Sequence, residues 1–258
     1  MDILSTIVEY KKTVIASAKK NIAQGSMHIA GETRGFTKAI YDKHYKNKKN
    51  IIAEIKKGSP SKGLIVSELD VEKTAAEYEL GGATCISVLT DEKFFFGGND
   101  NLQLAKSSTT IPILRKDFII DEYQIYESKH IGADAILLIT SILEGNQMAE
   151  FESLAFSLGL DVLVEIHDEL ELEKAQKFTK SPLIGVNNRN LRNFEINFEN
   201  TITLMKGFET GRLPVCESGI ENYDDMNRVH SKGCTCFLVG TAIVKSENKA
   251  EFIRELIK

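Results

Sequence analysis

A join between helix and strand recurs four times along this chain, and it restricts the possible folds more than any other feature. Segments with helical spacing end in glycine, and an apolar run begins within a few residues, in ELGGATCISV, HIGADAILLI, SLGLDVLVEI and SKGCTCFLVG. Glycine after the last helical turn is the usual left-handed cap, and links this short are normal in α/β units. The pattern predicts alternating helices and strands, which is typical of a parallel sheet.

Eight apolar runs have the length of a β-strand. They begin near Ile51, Cys85, Ile111, Ala135, Asp161, Leu183, Leu213 and Cys236. Segments with helical spacing lie between them, and in one of these Asp168 followed by Glu171 resembles a capping box. The 258 residues match the usual length of an eight-stranded barrel, and no linker divides them. We expect one α/β domain over residues 1–258, a (β/α)8 TIM barrel rather than an open doubly wound sheet.

Residues 1–50 precede the first strand, and we expect them to form an N-terminal helical extension of the barrel. The apolar positions of residues 1–20 have helical spacing and are Ile3, Leu4, Ile7, Val8, Val14, Ile15 and Ala18. This spacing predicts an amphipathic helix packed on the domain. The basic run KHYKNKKN, which leads into the first strand, is interpreted as a solvated segment and not as a binding patch.

The charge balance and the lack of long apolar runs exclude several classes of protein. The net charge is −5 and the isoelectric point is about 5.7, so there is no excess of positive charge for binding nucleic acid. No apolar run approaches the ~20 residues that cross a bilayer, and the start MDILSTIVEYKK lacks the pattern of a signal peptide. We expect a cytoplasmic protein that binds neither nucleic acid nor membrane.

The spacing of cysteine and histidine does not indicate a metal site. Cys85, Cys216, Cys234 and Cys236 form no CxxC pair, and we interpret them as reduced, buried thiols. The five histidines are scattered, and no nucleotide-binding fingerprint is present. The sequence therefore predicts no metal and no cofactor.

Charged residues close or directly follow five of the predicted strands. They are Glu54, Lys56, Lys116, Glu165, Arg189 and Glu217. Because strand side chains alternate between faces, Glu54 and Lys56 should share the inner face of the barrel with Ile52. Buried ionisable groups are costly unless they are paired or used, and barrel enzymes build their active sites at the C-terminal strand ends. We expect one shared active site; interior salt bridges without a catalytic role are the alternative.

Two loops have the composition of a phosphate site. The sequence SGI occupies residues 218–220 after the seventh strand, and VGTAIV occupies residues 239–244 after the eighth. In barrels of this kind these two loops commonly bind phosphate through backbone N–H groups. The hydroxyl-rich loop at residues 58–63 could contribute a further donor.

Two questions stay open at the mouth of the predicted barrel. His167 follows Glu165 by two residues and could reach the mouth, but a position in a surface loop is favoured. Lys56 or Lys116 could form a Schiff base, although nearby carboxylates would tend to keep a lysine charged.

Segments at every predicted strand resemble those of indole-3-glycerol phosphate synthases, enzymes of tryptophan biosynthesis. In chain order they are AEIKKGSPSKG (53–63), SVLTDEKFFFGG (87–98), ILRKDFIIDEYQI (113–125), GADAILLI (132–139), LVEIHDE (163–169), IGVNNRNL (184–191), CESGI (216–220) and FLVGTAI (237–243). In the N-terminal extension, TRGFTKAI is the most similar part. The combination of segments is highly specific for this family.

The resemblance implies a reaction and a set of site residues. The family closes the ring of 1-(2-carboxyphenylamino)-1-deoxyribulose 5-phosphate, a phosphosugar, and releases indole-3-glycerol phosphate, carbon dioxide and water without a cofactor or metal. The implied catalytic residues are Lys116, Glu165, Lys56 and Glu54. The implied substrate-binding residues are Asn187, Arg189, Glu217 and Ser218, and the implied phosphate contacts are Ser59, Gly219, Gly240 and Thr241. Gly58 and Thr241 depart mildly from the family pattern, where alanine and serine are frequent.

The chemistry of ring closure suggests a role for each group. Charge builds on the ketone oxygen during the attack, so Lys116 is expected to protonate or hydrogen-bond that oxygen. Lys56 is expected near the substrate carboxylate, and Glu165 to act in the final dehydration, whose acid could be either lysine. Glu54 and Glu217 would orient the lysines and the substrate hydroxyls. The side chains expected to enclose the aromatic ring are Phe94, Phe95, Phe118, Leu137 and Leu138.

Other interpretations of the same features remain. The chain could be a different phosphosugar barrel enzyme, such as phosphoribosylanthranilate isomerase, or a non-catalytic barrel that binds a phosphorylated metabolite. A monomer is the expected state.

Overall fold

Eight parallel strands close into a barrel in the computed structural model, which describes residues 3–29, 31–189 and 195–258. The strands are β1 (Asn50–Ile55), β2 (Cys85–Leu89), β3 (Ile113–Lys116), β4 (Ala135–Ile139), β5 (Asp161–Ile166), β6 (Leu183–Asn187), β7 (Leu213–Glu217) and β8 (Cys236–Val239). Each strand pairs with its neighbours in chain order, and β1 closes the barrel by pairing with both β2 and β8. The predicted (β/α)8 barrel is confirmed.

The third strand is the one whose start differs most from the prediction. It begins at Ile113 rather than near Ile111. Pro112 has no N–H to donate to the ladder, so only its carbonyl oxygen takes part, accepting from the backbone N–H of Ile86 at 2.9 Å. The apolar run is therefore longer than the strand that it contains.

Helices form the outer layer and the N-terminal extension. They are α1 (Ile3–Asn21), α2 (Phe36–His44), α3 (Val71–Gly81), α4 (Glu92–Phe95), α5 (Asn99–Ser108), α6 (Glu122–His130), α7 (Gly145–Ser157), α8 (Glu169–Phe178), α9 (Glu199–Leu204), α10 (Tyr223–His230), α11 (Thr241–Lys245) and α12 (Lys249–Leu256). No helix in the described ranges is long and apolar enough to cross a membrane.

The four predicted helix–strand joins are real helix ends. Each carries a glycine with a left-handed backbone: Gly82 (φ 92°), Gly132 (φ 92°), Gly159 (φ 73°) and Gly233 (φ 104°). Residues with a Cβ rarely adopt this conformation, so glycine ends the helix and turns the chain into the next strand.

Alternating side chains divide the core into an outer and an inner cluster. Ile51, Ala53 and Ile55 pack outward among the helices, whereas Ile52 packs inside the barrel with Leu114. The predicted alternation is confirmed for β1. Because the side chains that face inward follow one another along a strand, the last of them lies at the mouth of the barrel.

The helix α2 covers the N-terminal end of the barrel. Phe36 and Ile40 are fully buried in the inner cluster. The hydroxyl of Tyr41 donates to the carbonyl of Gly211 at 2.7 Å, just before β7. The sequence predicted a helical extension without separating this helix, which forms the floor of the barrel.

The basic run at residues 43–50 is solvated only in part: residues 45–48 are exposed as predicted, but the last two residues are buried. Lys49 is 7% exposed and donates to the carbonyl oxygens of Leu256 and Lys258 at 3.3 and 2.9 Å. Its Nζ also lies 4.0 Å from the centre of the Tyr223 ring. Buried lysines need such acceptors, and here they join the start of β1 to the end of the chain.

The helix α1 lies across the opposite end, over the C-terminal mouth. Lys11 on this helix is 4% exposed, and its Nζ lies 2.9 Å from Asp91 Oδ2 and 2.7 Å from Asp117 Oδ1. Burial opposes the lysine charge, but Asp117 and Asp91 outweigh it and raise the pKa of Lys11. Because these aspartates follow β2 and β3, the ion pairs tie α1 to two loops of the mouth.

Replacing Lys11 should destabilise the fold more than replacing the exposed lysine beside it. Lys11→Met leaves Asp91 without its ammonium partner and Asp117 with only the longer ion pair to Arg115 at 3.4 Å, which should lower the free energy of unfolding by about 3 kcal/mol in urea titrations. Lys12→Met is the matched control, since Lys12 pairs with Glu9 in solvent and should cost less than about 1 kcal/mol. Equal losses in the two variants would show that the buried pairs do not hold the helix.

Candidate active site

Five of the six predicted strand-end charges meet at the C-terminal mouth of the barrel. Nζ of Lys116 lies 3.0 Å from Glu217 Oε2 and 3.5 Å from Glu54 Oε2. A third carboxylate, Glu165, has its Oε2 at 3.7 Å. On the far side of Glu54, Oε1 lies 2.5 Å from Nζ of Lys56. Two ammonium groups and three carboxylates therefore form one connected cluster.

Its neighbours keep Lys116 charged although it is buried. Burial alone disfavours the ammonium, but Glu217, Glu54 and Glu165 outweigh it and raise the pKa of Lys116 above its ordinary value. A protonated amine has no lone pair for attack on a carbonyl, which disfavours the Schiff base that the sequence left open. The charge suits a proton donor instead.

Glu54 bridges the two lysines with its two oxygens. Burial acts to raise its pKa, but Lys56 and Lys116 outweigh burial, so the pKa of Glu54 is lowered. Gly240 makes room for this carboxylate, because a Cβ at Gly240 would overlap Glu54 Oε1. Gly240, predicted as a phosphate contact, therefore also has a steric reason to lack a side chain.

Glu217 lies beneath the cluster rather than on the wall of the cavity. Its side chain is 1% exposed, and burial, with Glu165 adding and Lys116 opposing, raises the pKa of Glu217 to about 7. A Cβ at Gly185 of the neighbouring strand would overlap Glu217 Oε1. This position favours the predicted role of orienting Lys116 over direct contact with a ligand.

Glu165 is held by polar groups from the next two strands. Its Oε1 accepts from Asn187 Nδ2 at 3.3 Å. The amide oxygen of Asn187 in turn accepts from Ser218 Oγ at 2.9 Å and from the backbone N–H of Arg189 at 3.0 Å. These hydrogen bonds hold Asn187, Ser218 and Glu165 together at the mouth of the barrel.

His167 lies in the loop after β5, but its side chain is turned inward rather than to the surface as expected. Its side chain is 14% exposed, and Nε2 lies 3.6 Å from Glu165 Oε1. Nδ1 lies 3.1 Å from Glu171 Oε2, which also accepts from the backbone N–H of His167 at 2.8 Å. Asp168 caps α8, but Glu171 reaches one residue further back than in a capping box, and this contact draws the histidine inward.

Eleven of the twelve predicted site residues line a single cavity at the mouth. They are Glu54, Lys56, Ser59, Lys116, Glu165, Asn187, Arg189, Ser218, Gly219, Gly240 and Thr241. Glu217 is the exception, since it lies behind Lys116. The expectation of one shared polar site is met by the geometry.

The loops predicted to bind phosphate form one side of this cavity. Ser218 and Gly219 both have a left-handed backbone, with φ of 66° and 98°. A Cβ at Gly219 would overlap Ile196, so a larger residue does not fit there. The turn brings the loop after β7 against the start of α11 at Thr241, and both segments line the cavity beside Ser59.

Three of the five apolar side chains predicted to surround an aromatic ring do line the cavity. These are Phe95, Phe118 and Leu137, and the two phenyl rings lie 5.9 Å apart. Phe94 instead packs edge-on against Tyr10, and Leu138 faces the helices because it lies on the outer face of β4. The prediction for Phe94 and Leu138 as cavity residues is wrong.

The N-terminal helix supplies part of the wall that sequence reasoning missed. Ile3, Leu4 and Ile7 line the cavity with Phe95 and Lys116. Their helical spacing was visible, but it indicated only that the face was buried and not what it faced. Lys62, in the loop at residues 58–63 that was expected to contribute a donor, also lines the cavity.

A cation already occupies the centre of the carboxylate cluster. The Lys116 ammonium lies within reach of all three glutamates. Within the described ranges, no group of three or more His, Cys, Asp or Glu residues is placed to hold a metal ion. The four cysteines are buried free thiols.

Adding one methyl group behind Glu217 should disable the site. The Gly185→Ala side chain would displace the Glu217 carboxylate from Lys116, and we expect turnover to fall at least about a hundredfold, since small misplacements of catalytic groups are that costly. Far-ultraviolet circular dichroism should still show the barrel. Gly25→Ala is the control, because nothing lies within 4 Å of its added Cβ. Full turnover in Gly185→Ala would mean that Glu217 does not orient the lysine.

Known proteins resemble this chain over nearly its whole length. The family model for indole-3-glycerol phosphate synthase matches residues 4–256. The indole-3-glycerol phosphate synthase of Paracidovorax citrulli is 44% identical over 99% of this chain and 98% of its own. Those of Albidiferax ferrireducens and Neisseria meningitidis are each 45% identical, over 99% and 96% of this chain and 98% and 96% of their own.

Solved structures of low identity share the fold. Thiamine phosphate pyrophosphorylase from Pyrococcus furiosus superposes with a TM-score of 0.59 at 16% identity, covering 81% of this chain and 94% of its own. N-acetylmannosamine-6-phosphate 2-epimerase from Clostridium perfringens gives a TM-score of 0.59 at 15% identity, covering 77% and 89%. These likenesses concern the barrel alone, whereas the family model and the relatives cover nearly the whole chain. The chain belongs to the indole-3-glycerol phosphate synthase family, decarboxylating lyases of tryptophan biosynthesis.

Proposed function

We propose that the cavity at the barrel mouth performs the family's ring closure, with its residues in the roles that follow. The substrate, 1-(2-carboxyphenylamino)-1-deoxyribulose 5-phosphate, carries a ketone, a benzoate and a phosphate. The observation that supports the assignment most strongly is a charged Lys116 on the cavity wall, held among three buried carboxylates. A protein site of this kind can donate a proton without exposing its base partners to solvent.

Lys116 is the proposed acid of ring closure. The ring carbon that bears the carboxylate attacks the ketone carbon, and the electron pair of the C=O bond moves to oxygen. Lys116 donates the proton that this oxygen takes up. Carbon dioxide then leaves, and its electron pair restores the aromatic ring.

Lys56 and Glu165 are the proposed pair for dehydration. Lys56 first lies near the substrate carboxylate, where its charge favours binding, and later protonates the departing hydroxyl. Glu165 removes the proton from the adjacent carbon, so that the pair of electrons forms the indole double bond and water departs. Lys116 has already donated its proton at this stage, which is the reason for giving the second proton to Lys56.

The remaining predicted residues bind and orient. Ser59, Gly219, Gly240 and Thr241 are proposed to hold the phosphate, and their loops adjoin in the cavity wall. Asn187, Arg189 and Ser218 are proposed to hold the other polar groups of the substrate. Glu54 and Glu217 orient the lysines, and the apolar wall with Phe95 and Phe118 receives the aromatic ring.

Three broader proposals concern the whole chain. We propose that residues 1–258 form one functional unit, because α1 supplies part of the cavity wall. We propose that the enzyme acts as a monomer, because every group assigned above comes from one chain. We propose a cytoplasmic location, because the substrate is a phosphorylated intermediate of biosynthesis. Sedimentation analysis would test the second proposal, and a dimer of defined mass would contradict it.

Turnover can be followed by the fluorescence of the indole product. The substrate is added to the purified protein in the presence of EDTA, and a rise in indole emission reports ring closure. A phosphoribosylanthranilate isomerase would leave the substrate unchanged, and a non-catalytic barrel would bind it without emission. The same assay measures the variants below.

Lys116→Ala should lose turnover while keeping the fold. Removal of the proton donor should lower kcat at least about a thousandfold, since donor and electrostatic roles combine at this position. Lys57→Ala serves as the control, because this lysine does not line the cavity. Near-normal turnover of Lys116→Ala would rule out the acid role.

Glu165→Gln should lose turnover far more than affinity. The amide keeps the size and hydrogen-bonding ability of the side chain but cannot accept the proton, so we expect kcat to fall at least about a hundredfold with KM changed less than about threefold. Steady-state kinetics over a range of substrate concentrations would measure both constants. A rise in KM alone would show that Glu165 only binds.

A further inference from the structure

The reaction consumes a proton that the substrate does not bring. At neutral pH the benzoate is ionised, whereas it leaves as uncharged carbon dioxide. Ring closure and dehydration each take a proton to oxygen, and only one proton is removed from carbon. One proton per turnover must therefore come from solvent into a cluster whose carboxylates are nearly inaccessible.

A line of acid and base groups, each within 3.7 Å of the next, leads into this cluster. Glu165 contacts His167 through Oε1 and Lys116 through Oε2, at 3.6 and 3.7 Å. Glu54 contacts Lys116 through Oε2 and Lys56 through Oε1, at 3.5 and 2.5 Å. Glu165 thus lies between His167 and Lys116, and Glu54 lies between Lys116 and Lys56. The two lysines are the proposed acids of the reaction.

His167 stands where this line reaches another cavity. Glu165 lines the substrate cavity and His167 does not, whereas His167 lines an outer cavity on the far side. Exposed residues of the outer cavity, including Asp168 and Glu199, place it in contact with solvent. Nε2 of His167 is buried without a hydrogen-bond partner in the described part of the chain, and Glu165 is the carboxylate nearest to it.

We propose that His167 is the entry point for the proton that each turnover consumes. The proton that Glu165 removed from carbon passes to the neutral amine of Lys116, and from Lys116 through Glu54 to Lys56. The imidazolium of His167 then gives its Nε2 proton to Glu165 Oε1, and a proton leaves Oε2 for Lys116, so that both lysines are charged again. The neutral imidazole turns toward the outer cavity and takes one proton from water there, so no further reactant is needed. This inference rests on the role proposed for Glu165.

The charges around His167 suit a group that is repeatedly protonated. Burial disfavours its charge, but the hydrogen bond to Glu171 and the charges of Glu165 and Glu171 outweigh burial and raise the pKa of His167. The charged residues that line the outer cavity are Glu9, Asp168, Glu171, Arg189, Glu195 and Glu199. Five of the six are acidic, which favours uptake of a proton from this side.

His167→Gln separates proton supply from the chemistry. With enzyme in excess, the first turnover uses protons already on the lysines, so its rate should stay within about twofold of the parent. With substrate in excess at pH 8, kcat should fall at least about tenfold because recharging becomes slow, while KM stays within about twofold. Added imidazole should restore kcat. His28→Gln, which changes an exposed histidine, should alter none of these values.

Each other outcome has a definite meaning. An unchanged kcat in His167→Gln would overturn the proposal, because the lysines would then recharge directly from the substrate cavity. Equal falls in first-turnover rate and kcat, without rescue by imidazole, would also overturn it and leave His167 as a support for Glu165. If Glu165→Gln retained its first-turnover rate, the role proposed for Glu165 would fail independently of the result for His167.

A second variant tests the charge of the histidine. Glu171→Gln keeps an oxygen for the backbone N–H of His167 but removes the neighbouring negative charge, so the pKa of His167 should fall. The decline of kcat at rising pH should then begin at lower pH than in the parent. An identical pH profile would contradict a proton supply through this ring.

Discussion

The ammonium of Lys116 lies among three buried carboxylates, and much of the mouth follows from that arrangement. A charge in a closed barrel is tolerated only if opposite charges lie within a few ångströms. Strand alternation brings Glu54, Glu165 and Glu217 to one level of the interior. Gly185 and Gly240 lack side chains where the carboxylates need space. The buried charges, the alternation of side chains along the strands and the two glycines are therefore all needed to build the same cluster.

Much of the barrel could be predicted from the sequence because its signals are local. A glycine with left-handed φ ends a helix wherever it occurs, and the apolar runs show their strands directly. The position of the polar cluster could be predicted because side chains alternate along each strand and the C-terminal ends of parallel strands meet at one end of a closed barrel. The identity of the catalytic groups needed more than this, since the roles came from the resemblance to a family and remain proposals.

The predictions that were wrong have different physical causes. Leu138 was placed in the cavity although alternation turns it toward the helices, so applying the parity rule to β4 would have corrected it. Lys49 looked solvated because its partners are carbonyl oxygens at the end of the chain. His167 was expected at the surface because composition does not show that Glu171 accepts from its backbone N–H and draws the ring inward. The spacing of apolar residues does not reveal the contacts of Lys49 or His167.

The N-terminal extension holds the barrel at both ends, with α2 beneath it and α1 across its mouth. These helices are synthesised before the strands of the barrel, yet the partners of Lys11 belong to loops that follow β2 and β3. The apolar face of α1 therefore stays without its proper surface until much of the barrel has formed, and contacts of such long range form slowly. A complete substrate cavity is a sign that folding has finished, so binding of a substrate analogue would distinguish the fully assembled enzyme from a barrel whose strands have closed but whose mouth has not.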